Sequence, residues 1–251
     1  MDVRSKLPYI GGRKLHYMLK NELSGLGIKL GRDGLFRFLR EEHLLIKRRR
    51  KYLKTTNSKH WMRKYPNMVK ENSIVRPEQV WVADITYLKA NSKHYYLHLI
   101  TDAYSKKIVG FELADNMYAS TTTNALRKAI AQRMYKEPLI HHSDRGLQYC
   151  SQEYISVLKE NDIGVSMTEQ SDPYENAVAE RVNGILKNEF GLDDVFENKE
   201  LMEQQVYQAI ALYNQLRPHY SINYLTPNQA HKQRDVKLKT YKRIEPLTFS
   251  S

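Results

Sequence analysis

Residues 80–88, VWVADITYL, decide the reading of this chain. Valine, isoleucine, threonine and the aromatics favour the pleated surface of a strand, and these nine residues contain little else. One carboxylate, Asp84, interrupts them. A carboxylate inside an apolar strand costs several kcal/mol if it is buried without a partner. Asp84 therefore either faces solvent on an edge strand or serves a site. Two more strand-like stretches follow, Tyr95–Thr101 (YYLHLIT) and Ile108–Leu113 (IVGFEL), separated by the turn-like AYSKK. Three strands at such short spacing predict an antiparallel meander.

Downstream, the apolar spacing changes to a helical period. It predicts a helix over 120–135, a short strand over 138–143, a helix over 151–161, a strand over 164–168 and a long helix over 175–190. Three strands followed by alternating helices and strands make a mixed α/β layered domain, here assigned to residues 80–191. Residues 192–251 then supply a helix over 199–216 and a loop-like tail docked on the core. No internal repeat or low-complexity tract is visible.

Upstream, residues 12–24 place Leu15, Met18, Leu19 and Leu23 at helical intervals. After glycines 25, 27 and 31, Asp33 is expected to cap a second helix carrying Leu35, Phe36, Phe38 and Leu39. Two short helices joined by a glycine-bearing turn resemble a small helix-turn-helix unit, assigned to residues 1–51, with a basic linker over 52–79.

Length and charge narrow the function. The chain has 251 residues, 40 Lys+Arg against 28 Asp+Glu, and a net charge of +12. The excess is not spread evenly. Residues 1–79 carry a net +13, the central segment to residue 191 carries −2, and the remainder +1. A concentrated basic segment attracts phosphate backbones and displaces their counterions. The candidate DNA-binding residues are Arg13, Lys14, Arg37 and Arg40 on the two helices, with Lys47, Arg48, Arg49, Arg50 and Lys51 beyond them. A solvated basic face is the plainer reading. Binding to an anionic membrane is disfavoured because no strongly amphipathic helix accompanies the run, and no apolar stretch approaches the length of a membrane span. With a single cysteine, Cys150, no intrachain disulfide can form. The expectation is a cytoplasmic, nucleoid-associated protein. The 11 glycines form neither a P-loop nor a dinucleotide fingerprint.

Two further carboxylates stand in unusual places. Asp144 follows the apolar run LIHHS, where a strand opens into a loop, and Glu180 lies on the long helix with 35 residues between them. On that helix Asn176, Glu180, Asn183 and Lys187 are spaced by 4, 3 and 4, so they share one stripe. Three carboxylates converging on one place suit hard divalent cations. Mg²⁺ takes a few carboxylates plus substrate phosphates, and two such ions about 3.5–4 Å apart serve phosphoryl transfer. An ordinary polar helix face is the alternative for Glu180. Asp102, beside AYSKK, reads as structural. His94 and His98 read as strand residues, and one of His141 and His142 is expected to orient the Asp144 loop.

Four ordered segments resemble the insertion-sequence transposases of the IS-three family. They are WVADITYL, HYYLHLITDAYSKKIVGFEL, HHSDRGLQYCS and SDPYENAVAERVNGILKNE. The tail YNQLRPHYSINYLTPNQ resembles the family's C-terminal signature. The resemblance implies an RNase H-like core of the retroviral integrase type preceded by a small helical unit, and makes Asp84, Asp144 and Glu180 a metal-binding catalytic triad. It implies Mg²⁺, with Mn²⁺ as a substitute and two ions per site. It places Lys187 and Asn176 near the transposon-end DNA. Ala83 stands where threonine is usual, Glu175 where aspartate is, and Leu147 and Cys150 where small or hydroxylated residues are common; none of these removes a ligand. The implied chemistry is hydrolysis at terminal inverted repeats followed by attack of the freed 3′-OH on another phosphodiester, by a copy-out, paste-in route. Implied partners are the element ends, target DNA, a second copy or higher oligomer, and an upstream helix-turn-helix and coiled-coil protein, separate or joined by frameshift. A DNA-binding regulator without activity and an RNase H-like nuclease are the other readings. The intact triad opposes the first, and the basic unit and the tail oppose the second.

Overall fold

The computed structural model describes residues 3–46, 61–69, 73–91, 93–169 and 176–239. Its centre is a mixed sheet. Strands β1 (Val80–Ala90), β2 (Lys93–Asp102) and β3 (Ile108–Ala114) form the expected meander, each pair antiparallel. Strands β4 (Leu139–Ser143) and β5 (Ile163–Met167) add in parallel on the other side of β1, giving the order β3-β2-β1-β4-β5. A two-residue strand, β6 (Val195–Phe196), pairs with the far end of β1 at Lys89 and Ala90.

Side-chain alternation divides the sheet between two helical layers. Trp81, Ala83 and Ile100 pack with Ala125, Leu126 and Ala129 of α4 (Ala119–Ala131) and with Tyr154 and Leu158 of α6 (Gln152–Glu160). The one-turn α5 (Leu147–Cys150) joins the same layer. Leu88, Leu97 and Leu99 face the other way, against α7 (Ala177–Glu189) and α8 (Lys199–Leu216). Gly110 on β3 marks the closest approach: a Cβ there would meet the Ala129 Cβ at 2.7 Å and its backbone nitrogen at 2.9 Å.

The N-terminal helices belong to this second layer. A one-turn α1 (Val3–Lys6), α2 (Gly12–Gly25) and α3 (Arg32–Glu41) bury Val3, Leu7, Ile10, Leu15, Leu35 and Leu39 in the same cluster as Val182, Leu186 and Val206. Gly27, at φ +73°, closes the turn after α2. The helical unit is thus packed into the core's own apolar cluster rather than carried beside it. Asp33 does not cap α3. Gly31 occupies that position, and Asp33 sits in the first turn, 2.8 Å from Arg32.

Glu189, at the C-terminal end of α7, holds this layer electrostatically. It accepts two hydrogen bonds from Arg217, Nε at 2.8 Å and Nη2 at 2.7 Å, and one from Lys14 Nζ at 2.8 Å. Arg217 is fully buried. A forked pair of this kind is the geometry in which a guanidinium repays part of its lost hydration.

The tail is more ordered than its loop-like sequence suggests. Beyond a 3₁₀ turn at Tyr220–Ile222, α9 (Pro227–His231) starts on a capping box between Thr226 and Gln229. It carries His231 into a buried cluster. His231 Nε2 lies 3.3 Å from Glu78 Oε1, and Nδ1 lies 2.9 Å from Ser105 Oγ and 3.6 Å from Asp102 Oδ1. Asp102 is structural, as read: it accepts from the Glu78 and Ser105 amides, both at 2.7 Å, and from Ser105 Oγ at 2.6 Å.

Burial pushes the Glu78 carboxyl up, but hydrogen bonds from His231 and the Met134 and Tyr135 amides outweigh it and hold it below the ordinary value. Burial pushes the His231 imidazole down, and its bonds to Asp102 and Glu78 reverse that and hold it above its ordinary value. The raised histidine contributes stability that is complete below its ordinary pKa of 6.5 and is lost as pH rises through the folded value. The lowered glutamate contributes stability lost as pH falls through its own folded value. His231→Asn is expected to lower the melting temperature most near pH 6. It should also flatten the decline of stability as pH rises above about 6.5, read from thermal melts on either side of that pH.

Candidate active site

Strand register assembles the first two carboxylates. The parallel ladder between β1 and β4 runs from Val80↔Ile140 to Ala83↔Ser143 and stops. The next residue on each strand is Asp84 and Asp144. Neighbouring strands lie about 4.8 Å apart and register partners share a face, so the last rung sets these two carboxylates side by side. This is also where strand order reverses, with antiparallel β2 on one side of β1 and parallel β4 on the other. Open α/β sheets leave a crevice at such a point, beyond the carboxyl ends of the strands.

Both side chains are fixed. Asp84 Oδ1 accepts from the Ile85 amide at 2.9 Å, and Oδ2 from Asn183 Nδ2 at 2.7 Å. Asp144 Oδ1 accepts from the Gly146 amide at 3.0 Å as the chain turns into α5. Both carboxylates line a cleft of about 550 Å³ with Thr86, Tyr87, Gln148 and Met117.

The α7 stripe brings up the third. Asn176 Nδ2 donates to the Ala83 carbonyl at 3.0 Å, and Asn183 meets Asp84. These contacts hold α7 against β1 on either side of Glu180, which is exposed. Burial, then the negative charge of Asp144 and, further down, that of Glu180 push the Asp84 carboxyl up to about 7, against the pull of its two hydrogen bonds. Three acidic groups thus share one electrostatic field. Among the described residues, however, no group of three histidine, cysteine or acidic side chains stands in metal-ligating geometry. Asp84 and Asp144 line the cleft, and Glu180 is absent from its lining.

Several sequence-stretch assignments change in three dimensions. Lys187 was expected near DNA, but it is 1% exposed, with Nζ 4.1 Å from the Tyr87 ring centroid and 4.0 Å from Asp193 Oδ1. Asn176 is also buried and spends its amide on Ala83. Lys14 is committed to Glu189, and burial, reinforced by the Arg217 charge, pushes it down to about 8. Arg13, Arg37 and Arg40 are exposed. Lys47, Arg48, Arg49, Arg50 and Lys51 lie outside the described residues. Of the β4 histidines, His141 Nε2 pairs with the Tyr154 hydroxyl and His142 Nδ1 with Ser166 Oγ, both at 2.8 Å. His98 is buried against Thr122, and His94 stays exposed on β2. Cys150 is buried and its thiol is pushed up, first by burial and then by Asp144, the reverse of what a nucleophile needs. Tyr87 and Met117 in the cleft were not singled out from the sequence.

A five-stranded order of this kind, with acids where the ladder of the two central parallel strands stops, defines the RNase H-like class to which integrase catalytic cores belong. Two models, each described as an integrase core domain, match residues 75–173 and 161–227. An insertion element IS600 protein of 31 kDa from Shigella sonnei is 35% identical over 211 residues, covering 83% of this chain and 78% of that one. The transposase InsF for insertion sequence IS3A of Escherichia coli K12 is 30% identical over 213 residues, covering 84% and 74%. Among solved structures, the HTLV-2 integrase catalytic core in complex with magnesium aligns with 62% of this chain and 98% of its own at a TM-score of 0.51 and 24% identity. A simian T-cell lymphotropic virus intasome, in complex with a PP2A regulatory subunit, aligns with 96% and 81% at 0.56 and 21%. The chain belongs to the IS3 family of insertion-sequence transposases, polynucleotidyl transferases of DNA transposition and integration. No described helix is long and apolar enough to cross a membrane.

The Asn176 contact yields a prediction. Asn176→Ala leaves the Ala83 carbonyl without its buried donor, which costs about 1–3 kcal/mol. Urea unfolding is expected to show that loss, with DNA affinity unchanged.

Proposed function

We propose that the protein cleaves DNA at the ends of an insertion sequence and joins the resulting 3′-OH to a second phosphodiester, with Asp84, Asp144 and Glu180 holding divalent metal. The observation that carries this reading is the last β1–β4 rung, which places Asp84 and Asp144 together at the head of a cleft. The donor set fits the metal. All three side chains offer oxygen, as Mg²⁺ and Mn²⁺ prefer. Asp84 is raised to about 7 by burial and by its acidic neighbours, and a bound cation would favour its ionised form. Two bound ions would supply charge neutralisation at the attacking and leaving oxygens of the phosphate.

The chain's own groups do the positioning. Asn183 and the Ile85 amide fix the two oxygens of Asp84, so its carboxylate is oriented before substrate arrives. The Gly146 turn does the same for Asp144. Glu180 completes the set from α7, whose seat on β1 depends on Asn176 and Asn183. In the first step water attacks phosphorus and the bond to the 3′-oxygen breaks, leaving a 3′-OH and a 5′-phosphate. In the second, that 3′-OH attacks a phosphodiester of target DNA and releases a new 3′-OH, so one bond forms for each one broken. Two ends must be held together, which calls for a dimer or a higher assembly on DNA. An upstream helix-turn-helix and coiled-coil partner, separate or fused, would share end recognition. Of the candidate DNA-binding residues, Arg13, Arg37 and Arg40 on α2 and α3 are the described ones that are exposed and could meet phosphates.

Strand transfer on DNA carrying the element's own ends, with Mg²⁺ or Mn²⁺ and with and without an upstream partner, tests the chemistry. Asp84→Asn, Asp144→Asn and Glu180→Gln are each expected to abolish joining, a larger loss than the 10–100-fold typical of an outer-shell partner. Joining that survives all three would overturn the site. For the basic face, Arg37→Ala and Arg40→Ala should each reduce the salt slope of end binding by about 1. Lys14→Met should leave the slope unchanged and lower stability instead.

A further inference from the structure

Away from the acids, the two ends of the chain meet in an aromatic and cationic surface. The Tyr17 ring of α2 stacks on the ring of Tyr224, with 4.5 Å between centroids and 14° between planes. Tyr220 meets Tyr224 edge-on at 5.6 Å, and the Lys239 ammonium lies 4.6 Å from the Tyr220 centroid. Tyr17 and Tyr220 are each nearly half exposed. The turn that presents these rings is strained. Asn223 and Tyr224 both have left-handed backbone, at φ +56° and +63°. For a bulky residue that conformation costs about 1–2 kcal/mol, and it persists only where the surroundings impose it. Here Asn223 Nδ2 donates to the Lys237 carbonyl at 3.0 Å, and the Lys239 amide donates to that of Ser221 at 2.9 Å. The tail is thereby held in one arrangement against α2.

The charge around the rings is mostly positive. On α2, Arg13, Tyr17 and Lys20 are spaced by 4 and 3, so they share one exposed stripe, with Glu22 on another side of the helix. Residues 232–239 carry Lys232, Arg234, Lys237 and Lys239 against Asp235 alone, and of these Arg234 is paired with Glu137. Arg181, exposed directly after Glu180 on α7, lies near enough to α2 for its charge to act on Lys14. Cations therefore lead from the acidic end of α7 toward the stripe. Helix α2 is seated at the far end of α7, where Glu189 takes the Lys14 ammonium and, through its carbonyl, the Tyr9 amide. The step from Glu180 to Glu189 is about 14 Å of helix, or the rise of about four base pairs.

A row of exposed cations with tyrosine hydroxyls among them suits the phosphate backbone of a duplex. The reaction selects which duplex. After the first step the strand bearing the 3′-OH continues only into the element, and it must stay bound until the second step. We propose that Arg181, Arg13, Lys20 and Lys239, with the Tyr17 and Tyr220 hydroxyls, grip the backbone of the element-end duplex about four or more base pairs inside the cut. Tyr224 positions this grip by joining the tail to α2. The inference rests on the function proposed above and gives the C-terminal tail a DNA-binding part in it.

The test is binding of the purified full chain to an element-end duplex already cut at its 3′ end, by fluorescence anisotropy across a range of salt. Lys20→Ala and Lys239→Ala are each expected to reduce the salt slope by about 1. Tyr224→Gly relieves the left-handed backbone and removes the ring, so binding should weaken by about two- to tenfold while the thermal melt stays close to that of the wild type. Hydroxyl-radical footprinting should show protection of the element-side backbone about four or more base pairs from the cut, lost when Lys20→Ala and Lys239→Ala are combined. Folded variants that bind with the wild-type slope, or a footprint confined to the cut, would overturn the proposal. Variants that change the oligomeric state and leave DNA binding intact would overturn it too, and make the surface a protein contact. A wild-type slope in every variant, with joining that still needs the three acids, removes the grip alone. A reduced slope without joining under any condition removes the reaction alone.

Discussion

The site depends on one register. Because β1 and β4 run parallel and their ladder ends at Ala83↔Ser143, the residues that follow must diverge from the same rung. Had the pairing slipped by one residue, one carboxylate would have turned to the opposite face of the sheet. The apolar residues enforce the register from both sides. Trp81 and Ala83 bury against α4 and α6, while Val80 and Val82 bury with Ala179 of α7. The cost of exposing either set is what keeps Asp84 beside Asp144.

Past that rung β1 continues with β2 alone until β6 joins at Lys89. The uncovered edge between them allows the cleft and leaves room for Lys187 of α7 to reach Tyr87. Charge is distributed to the same end. The acids are gathered at the mouth of the sheet, where they repel one another. The buried cations Arg217 and Lys14 are drawn to Glu189 at the other end of α7, which ties the N-terminal helices and the tail to the helix bearing Glu180. The Glu78–Asp102–His231 cluster fixes the tail a second time, at the start of β1. Helix α7 and the central strand are therefore each clamped by C-terminal residues that are distant in sequence.

Much of this was legible in local pattern. Asp84 stood out because a strand of valine and isoleucine has no reason to carry an acid. Asp144 stood out at a strand end, and the stripe of Asn176, Glu180, Asn183 and Lys187 followed from helical spacing. Partnership was not legible. Lys14 and Arg13 are adjacent and chemically alike, yet Lys14 faces Glu189, 175 residues away, and Arg13 faces solvent. Lys187 shares a stripe with residues facing β1, so it is enclosed by the strand edge. The short helix α9 escaped notice because five residues are too few to show a period, although Thr226 and Gln229 carried its capping signal.

The sequence by itself determined the order of the five main strands and the longer helices and the layered α/β class, and it singled out three acids as candidates, because periodicity and residue type act over a few neighbours. Tertiary structure decided which charges are paired inside the protein and which remain exposed. It also decided that the helical unit shares the core of the sheet. Those outcomes depend on contacts between residues tens to hundreds of positions apart, whose energies come from burial and from low-dielectric pairing that no local window contains.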